Sequence, residues 1–165
     1  GTVMKTWILI MWKKKEINYT HSEFEAGVKQ IVNNIRATGT EYSRIVGLVR
    51  GGLPLATRLS YILEVPITTI TWSTRDFAEK EYNEIVAEDM NNGQKILLVD
   101  DIIDSGETIR QVIDTWGNFP EQNLSIACLI LNTDQETMPD FFHKTIDRKV
   151  EKRWVKFWWE LNNVL

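Results

Sequence analysis

The sequence predicts an α/β fold: a central, mostly parallel sheet flanked by helices, with a small C-terminal hood. Three observations carry this reading. Residues 44–49, 95–100 and 124–131 are near-continuous apolar runs, the pattern of strands buried on both faces. Segments with helical spacing alternate with them, as βαβ units require. A chain of 165 residues with 43% apolar and 25% charged side chains suits one folded core.

Residues 3–12 read as a strand; the run is too short for a membrane span and lacks a small-residue cleavage site. Ser22 is placed to cap the first helix, with Glu25 completing a capping box. Phe24, Val28, Ile31, Val32 and Ile35 then recur at helical spacing, and Gly39 lies just past the end. Residues 44–49 form a strand that runs straight into Gly51-Gly52. Pro54 suits the first turn of a helix whose buried face is Leu55, Leu59, Ile62 and Leu63. Residues 65–72, rich in β-branched side chains, read as the next strand. Residues 73–94 are polar, charged and without a clear period, so a functional lid is expected there. Residues 95–100 are the clearest strand in the chain. A polar turn follows, then a helix with Ile109, Val112, Ile113 and Trp116 on one face, then the apolar strand 124–131. Residues 132–165 read as irregular, aromatic and basic. There is no internal repeat and no evident linker, so a single domain over 1–165 is expected.

Composition excludes several classes. Cys128 is the only cysteine, so no intrachain disulfide can form, and its apolar surroundings mark it as a small buried hydrophobe. A net charge of −4 argues against a surface that coats nucleic acid. A cytoplasmic protein with no membrane partner is expected. Seven tryptophans stand out, and core packing, a dimer contact and a stacking platform for a planar ligand all remain open for them. The cations between Lys144 and Lys156 read as a solvated face, with the entrance to a diphosphate site as the alternative.

The chemistry lies where strands end, which is where open α/β sheets bind ligands. In Val99-Asp100-Asp101-Ile102-Ile103-Asp104-Ser105-Gly106-Glu107-Thr108 a buried strand gives way to two acids, and a polar turn opens a helix. Backbone N–H groups at a helix start favour an anion, the hydroxyls of Ser105 and Thr108 add donors, and Gly106 permits close backbone approach. Acids beside a phosphate cradle would repel it unless they meet sugar hydroxyls or a metal ion, so the pattern fits a ribose 5-phosphate. No Gly-x-x-x-x-Gly-Lys-Ser/Thr occurs, which excludes a P-loop.

This segment resembles the phosphoribosyl-diphosphate (PRPP) motif of type I phosphoribosyltransferases. Val49-Arg50-Gly51-Gly52-Leu53 resembles the pyrophosphate loop of the same family, in which a non-proline cis peptide is common and would fall at Val49-Arg50. Residues 152–160 resemble the hood of the xanthine/hypoxanthine-guanine branch. The resemblance implies a PRPP-dependent transferase acting on a purine base in salvage and releasing pyrophosphate. It assigns Asp104 as general acid or base at the purine N7, and Asp100, Asp101, Ser105, Gly106, Glu107 and Thr108 to PRPP. Arg50, Gly51 and Gly52 would hold pyrophosphate. Trp154 and Val155 would contact the base, while Asp100, Asp101 and Glu160 would act on Mg²⁺. It further implies a homodimer or homotetramer.

The chain departs from that branch in three respects that bear on substrate: the lid reads Ser73-Thr74-Arg75-Asp76 with no Tyr where a Ser-Tyr pair often sits, Glu107 stands where Lys or Gly is common, and a lysine is missing. Relatives carry a Lys after the strand corresponding to 124–131, where this chain has Leu131 and Asn132. Asn132 is therefore the candidate to meet the 6-oxo group, with an amide free to present either donor or acceptor. A different nucleobase, or a PRPP-binding regulator without turnover, are the alternatives.

Overall fold

The computed structural model describes residues 1–6, 15–72 and 83–162. Their elements run β1 (Glu16–Tyr19), α1 (His21–Thr38), β2 (Arg44–Val49), α2 (Leu53–Leu63), β3 (Ile67–Thr71), α3 (Glu84–Asn91), β4 (Ile96–Val99), β5 (Ile102–Ile103), α4 (Glu107–Asp114), β6 (Leu124–Ala127), β7 (Ile130–Asn132), β8 (Lys144–Ile146) and β9 (Trp154–Phe157). Four strands form the central sheet in the order β3-β2-β4-β6, all parallel. The α/β architecture read from the sequence is the one observed.

Period-two alternation makes this sheet two-sided. Ile45, Leu97 and Val99 point to one face, where they meet Phe24, Val28, Ile31 and Ile35 of α1 and Leu55 and Leu59 of α2. Val46, Leu48, Ile96 and Leu98 point to the other and meet Val86 and Met90 of α3 and Ile109 and Val112 of α4. Burying each of these side chains contributes roughly 1.5–3 kcal/mol, and the two layers pin the strand ends from both sides.

Helix α1 starts two residues earlier than its sequence suggests. Thr20, not Ser22, is the N-cap: its hydroxyl accepts from Glu23 N while Glu23 reaches back to Thr20 N. Both tetrads fit a capping box; β1 ends at Tyr19, so Thr20 is the first residue free to turn. Gly39 closes the helix in the left-handed region at φ 69°.

Three other expectations need revision. Residues 83–94 are not an open loop: Asn83 caps α3, which buries Val86 and Met90 one turn apart. The remainder of the expected lid, 73–82, lies outside the described residues. The run 124–131 is two strands rather than one. Both β4 and β6 leave the central sheet together. Leu129 N and Ile130 N donate to Asp101 O at 2.9 and 3.2 Å, and the chains re-pair in a second parallel sheet, β5-β7-β8. Lastly, residues 2–6 are helical, with Thr6 Oγ1 donating to Thr2 O at 2.9 Å, so the start of the expected strand 3–12 is not extended; 7–12 lie outside the described residues. The hood strand β9 instead pairs in parallel with β1, Trp154 opposite Glu16 and Phe157 opposite Tyr19.

Most described tryptophans are packing elements. Trp72 and Trp116 are buried, and Trp159 stacks on Phe157 with ring centroids 4.7 Å apart while Trp158 lies across Phe24. Trp154 is the exception, 55% exposed. Cys128 is fully buried, and burial pushes its thiol up. Among the described residues, no helix is long and apolar enough to cross a membrane.

Candidate active site at the strand ends

Both strand-end motifs meet at the carboxyl edge of the central sheet. Strands β2 and β4 are neighbours in register, Gly47 opposite Val99, so the turns that follow them are brought side by side. The peptide between Val49 and Arg50 is cis. Gly52 N then donates to Leu48 O at 2.8 Å, folding the loop back over its own strand. A Cβ at Gly51 would fall on the Asp101 carboxyl group, and one at Gly52 would fall 2.5 Å from Val99 O. Glycine at both positions is thus what lets the Arg50 loop close against the two acids.

Asp100 and Asp101 each fold onto the following backbone: Asp100 Oδ1 accepts from Asp101 N at 2.9 Å and Asp101 Oδ1 from Ile102 N at 2.7 Å. Burial raises both carboxyls above the ordinary range, and for Asp100 the adjacent Asp101 charge adds to it. Two adjacent buried acids suit a group that brings positive charge or hydroxyl donors.

The cradle is the turn 104–108. Gly106 sits at φ 79° and opens α4, and Ser105 Oγ accepts from Glu107 N at 3.2 Å. The first N–H groups of α4 have no partner within the helix, and such groups favour an anion. Sequence reasoning missed what braces this turn. Arg110 donates to Ser105 O at 3.1 Å and to Thr137 Oγ1 at 3.3 Å, and a Cβ at Gly106 would meet Thr137 Oγ1 and Gln135 Oε1 at 2.5 and 2.7 Å. The segment 132–139, read as irregular, is the outer wall of the cradle.

Asp104 points toward the hood and is held there. Arg148 donates through Nε to Oδ1 at 2.9 Å and through Nη2 to Oδ2 at 3.0 Å. Asn132 does not present a free amide. It is 4% exposed, its Nδ2 donates to Asp104 O at 2.9 Å, and its Oδ1 accepts from Asp134 N and Arg148 N. Its orientation is therefore fixed, and the expectation of a rotatable amide reaching a base is corrected: its polar atoms hold the turn instead. Leu131 beside it is buried in the second core cluster. The run of cations is largely exposed, as a solvated face would be, and several of its members are paired. Lys144 pairs with Glu23, Lys149 with Asp134 and Arg153 with Glu151, whose carboxyl the guanidinium holds down at about 2.

In the hood, alternation along β9 separates the two residues expected at the base. Trp154 is exposed, whereas Val155 faces the first core cluster and is buried. Glu160 follows in a short 3₁₀ turn. Burial raises its carboxyl and the charge of Asp101 raises it further, while Lys156 and Arg50 act in the opposite sense. Among the described residues, no three His, Cys, Asp or Glu side chains are grouped to hold a metal by themselves. Asp100 and Asp101 are carboxylates of the kind Mg²⁺ uses, since it binds through one or two of them and completes its shell with substrate oxygens and water.

The two strand-end motifs thus lie side by side at the carboxyl edge of the central sheet, and Arg148 ties the second of them to the hood. The family model for the phosphoribosyl transferase domain matches residues 16–162. The chain belongs to that family. A phosphoribosyltransferase domain of this kind has purine-specific relatives: the chain is 27% identical over 141 residues to the hypoxanthine-guanine phosphoribosyltransferase of Mycoplasma genitalium, covering 81% of this chain and 78% of that one. It is also 31% identical over 102 residues to the orotate phosphoribosyltransferase of Caenorhabditis elegans, covering 62% of this chain and 42% of that one. The chain spans about half the length of the orotate relatives it matches. In fold it is similar to the crystal structure of a purine phosphoribosyltransferase from Pyrococcus horikoshii Ot3, with a TM-score of 0.70 at 23% identity over 92% of this chain and 98% of that one.

Proposed function

We propose that this domain transfers the 5-phosphoribosyl group from PRPP to a purine base of the hypoxanthine, guanine or xanthine type and releases pyrophosphate, in purine salvage. The observation that supports the reading is the close approach of Gly51 to Asp101, which brings the Arg50 loop against the acid pair as a single ligand reaching both would require. The cradle at Ser105, Gly106, Glu107 and Thr108 takes the 5-phosphate, Glu107 by its backbone alone. Arg50, Gly51 and Gly52 take the pyrophosphate. Asp100 and Asp101 take the ribose hydroxyls and, with Glu160, serve Mg²⁺ directly or through water. Mg²⁺ held by these carboxylates would supply charge neutralisation for the leaving diphosphate. The base lies against Trp154, with the backbone of Val155 beside it, and presents a ring nitrogen to Asp104. Displacement at C1 then needs both reactants held in line and water kept out. One domain over 1–165, acting as a homodimer or homotetramer in the cytoplasm, completes the reading.

A second reading is transfer to another nucleobase. The buried Leu131 and the fully engaged Asn132 favour it, since no side-chain ammonium stands there to enforce a 6-oxo group. The test is to assay the protein with PRPP, Mg²⁺ and a panel of hypoxanthine, guanine, xanthine, adenine, orotate and uracil, following pyrophosphate release. Turnover confined to 6-oxopurines supports the first reading; turnover with orotate or uracil alone overturns it in favour of the second. Placing Lys at position 131 or 132 is a poor probe of this choice, because either side chain would displace core or turn contacts. A cleaner one is Trp154→Ala. It is expected to weaken purine binding by ~1–3 kcal/mol, the scale of base–aromatic stacking, while PRPP affinity and melting temperature hold. Isothermal titration with each substrate separately checks this; an equal loss for PRPP would place Trp154 outside the base site.

A further inference from the structure

We propose that Arg148 is a positioning residue that acts through Asp104, fixing the carboxylate relative to the base platform. This rests on the function proposed above. The guanidinium spends four of its five N–H groups in one network. Nε and Nη2 take the two oxygens of Asp104, and Nη1 spans Glu151 O at 3.2 Å and Arg153 O at 2.6 Å. The second of those carbonyls belongs to the residue immediately before Trp154. The backbone N–H of Arg148 donates to Asn132 Oδ1 at 3.1 Å, and Asn132 Nδ2 donates to Asp104 O at 2.9 Å. A closed ring of hydrogen bonds thus joins the Asp104 side chain, its own carbonyl, the end of β7 and the backbone leading into β9.

The consequence is chemical as well as geometric. A planar fork matched to a carboxylate fixes the plane of the acid, which a lysine ammonium cannot do. Asp104 keeps its outer lone pairs for one more hydrogen bond. Because the fork is all donors, the carboxylate it holds accepts from the base, so the base must present a ring N–H there. Arg148 is 18% exposed and Asp104 43% exposed, so the arginine lies on the protein side of the pair and the acid on the cleft side. Lys149, Lys152 and Arg153 flank it in sequence, yet Arg148 alone among the Lys and Arg side chains forms a salt bridge to Asp104 among the described residues.

A double-mutant cycle on the full chain tests this. Arg148→Gln is expected to lower kcat/KM for the base by about 10-fold or more while the KM for PRPP stays within about twofold. In an Asp104→Asn background the same change should cost less than about threefold, because the group it orients is already gone. Arg148→Lys should recover little, since charge without the fork does not set the plane; it also carries the cycle should the glutamine variant fail to fold. Equal losses in both backgrounds, or an equal rise in the PRPP KM, would overturn the positioning role and leave Arg148 as a brace of the hood. A parent protein with no turnover on the nucleobase panel overturns the function and this role together. Turnover in the parent with additive mutants overturns this role alone.

Discussion

Asp104→Asn is expected to lower turnover by ~10²-fold or more, the usual scale for losing a general acid or base, with PRPP affinity nearly intact. The split follows from placement. Asp104 sits between the cradle and the hood, contributes no side-chain bond to the turn 105–108, and directs both carboxyl oxygens to Arg148. Asparagine keeps the size and one acceptor but turns an amide N–H₂ toward a guanidinium N–H, so about 1 kcal/mol of stability should go with it. That figure is small enough for the variant to fold, and a melting curve beside the kinetics separates the two effects. Unchanged turnover on a good base substrate would remove Asp104 from the chemistry.

The second large effect concerns the two glycines of the diphosphate loop, which are expected to fail differently. Gly51→Ala places a methyl group on the Asp101 carboxyl. A carboxyl side chain can swing aside, so the fold should survive, but the acid would leave the ribose site; PRPP affinity is expected to fall by about 10-fold or more for loss of a charge-assisted bond. Gly52→Ala meets Val99 O and Leu48 O, which are strand backbone and cannot yield. Overpacking there should cost ~1–3 kcal/mol of stability, read as a lowered melting temperature. Equal PRPP binding by Gly51→Ala and the parent would mean that the loop and the acid pair do not act on one ligand.

The structure also explains why the apolar run 124–131 misled. Every residue in it is apolar or small, and buried strands and a buried crossover between two sheets read alike. The break at Cys128 and Leu129 is set by backbone bonds to Phe141 O and Asp101 O, partners that no local pattern announces. Helix α3 was missed for a different reason: eight residues with only Val86 and Met90 buried carry too few periodic positions to stand out.

By itself the sequence determined the layered fold, the order of its principal strands and helices, and the identity of the two strand-end motifs. These depend on short-range properties: burial written as apolar runs, helices written as a 3.6-residue period, turns written as glycines and acids. Tertiary structure alone decided which of the neighbouring cations reaches Asp104, that Asn132 is locked inward, and that Trp154 is exposed while Val155 is buried. Nothing in Arg148-Lys149-Val150-Glu151-Lys152-Arg153 distinguishes Arg148, because its partners lie 44 residues upstream at Asp104 and across the chain at Asn132. A side chain's role at such a site is fixed by the direction its backbone faces once the strands are paired, and that direction is a property of the assembled sheets.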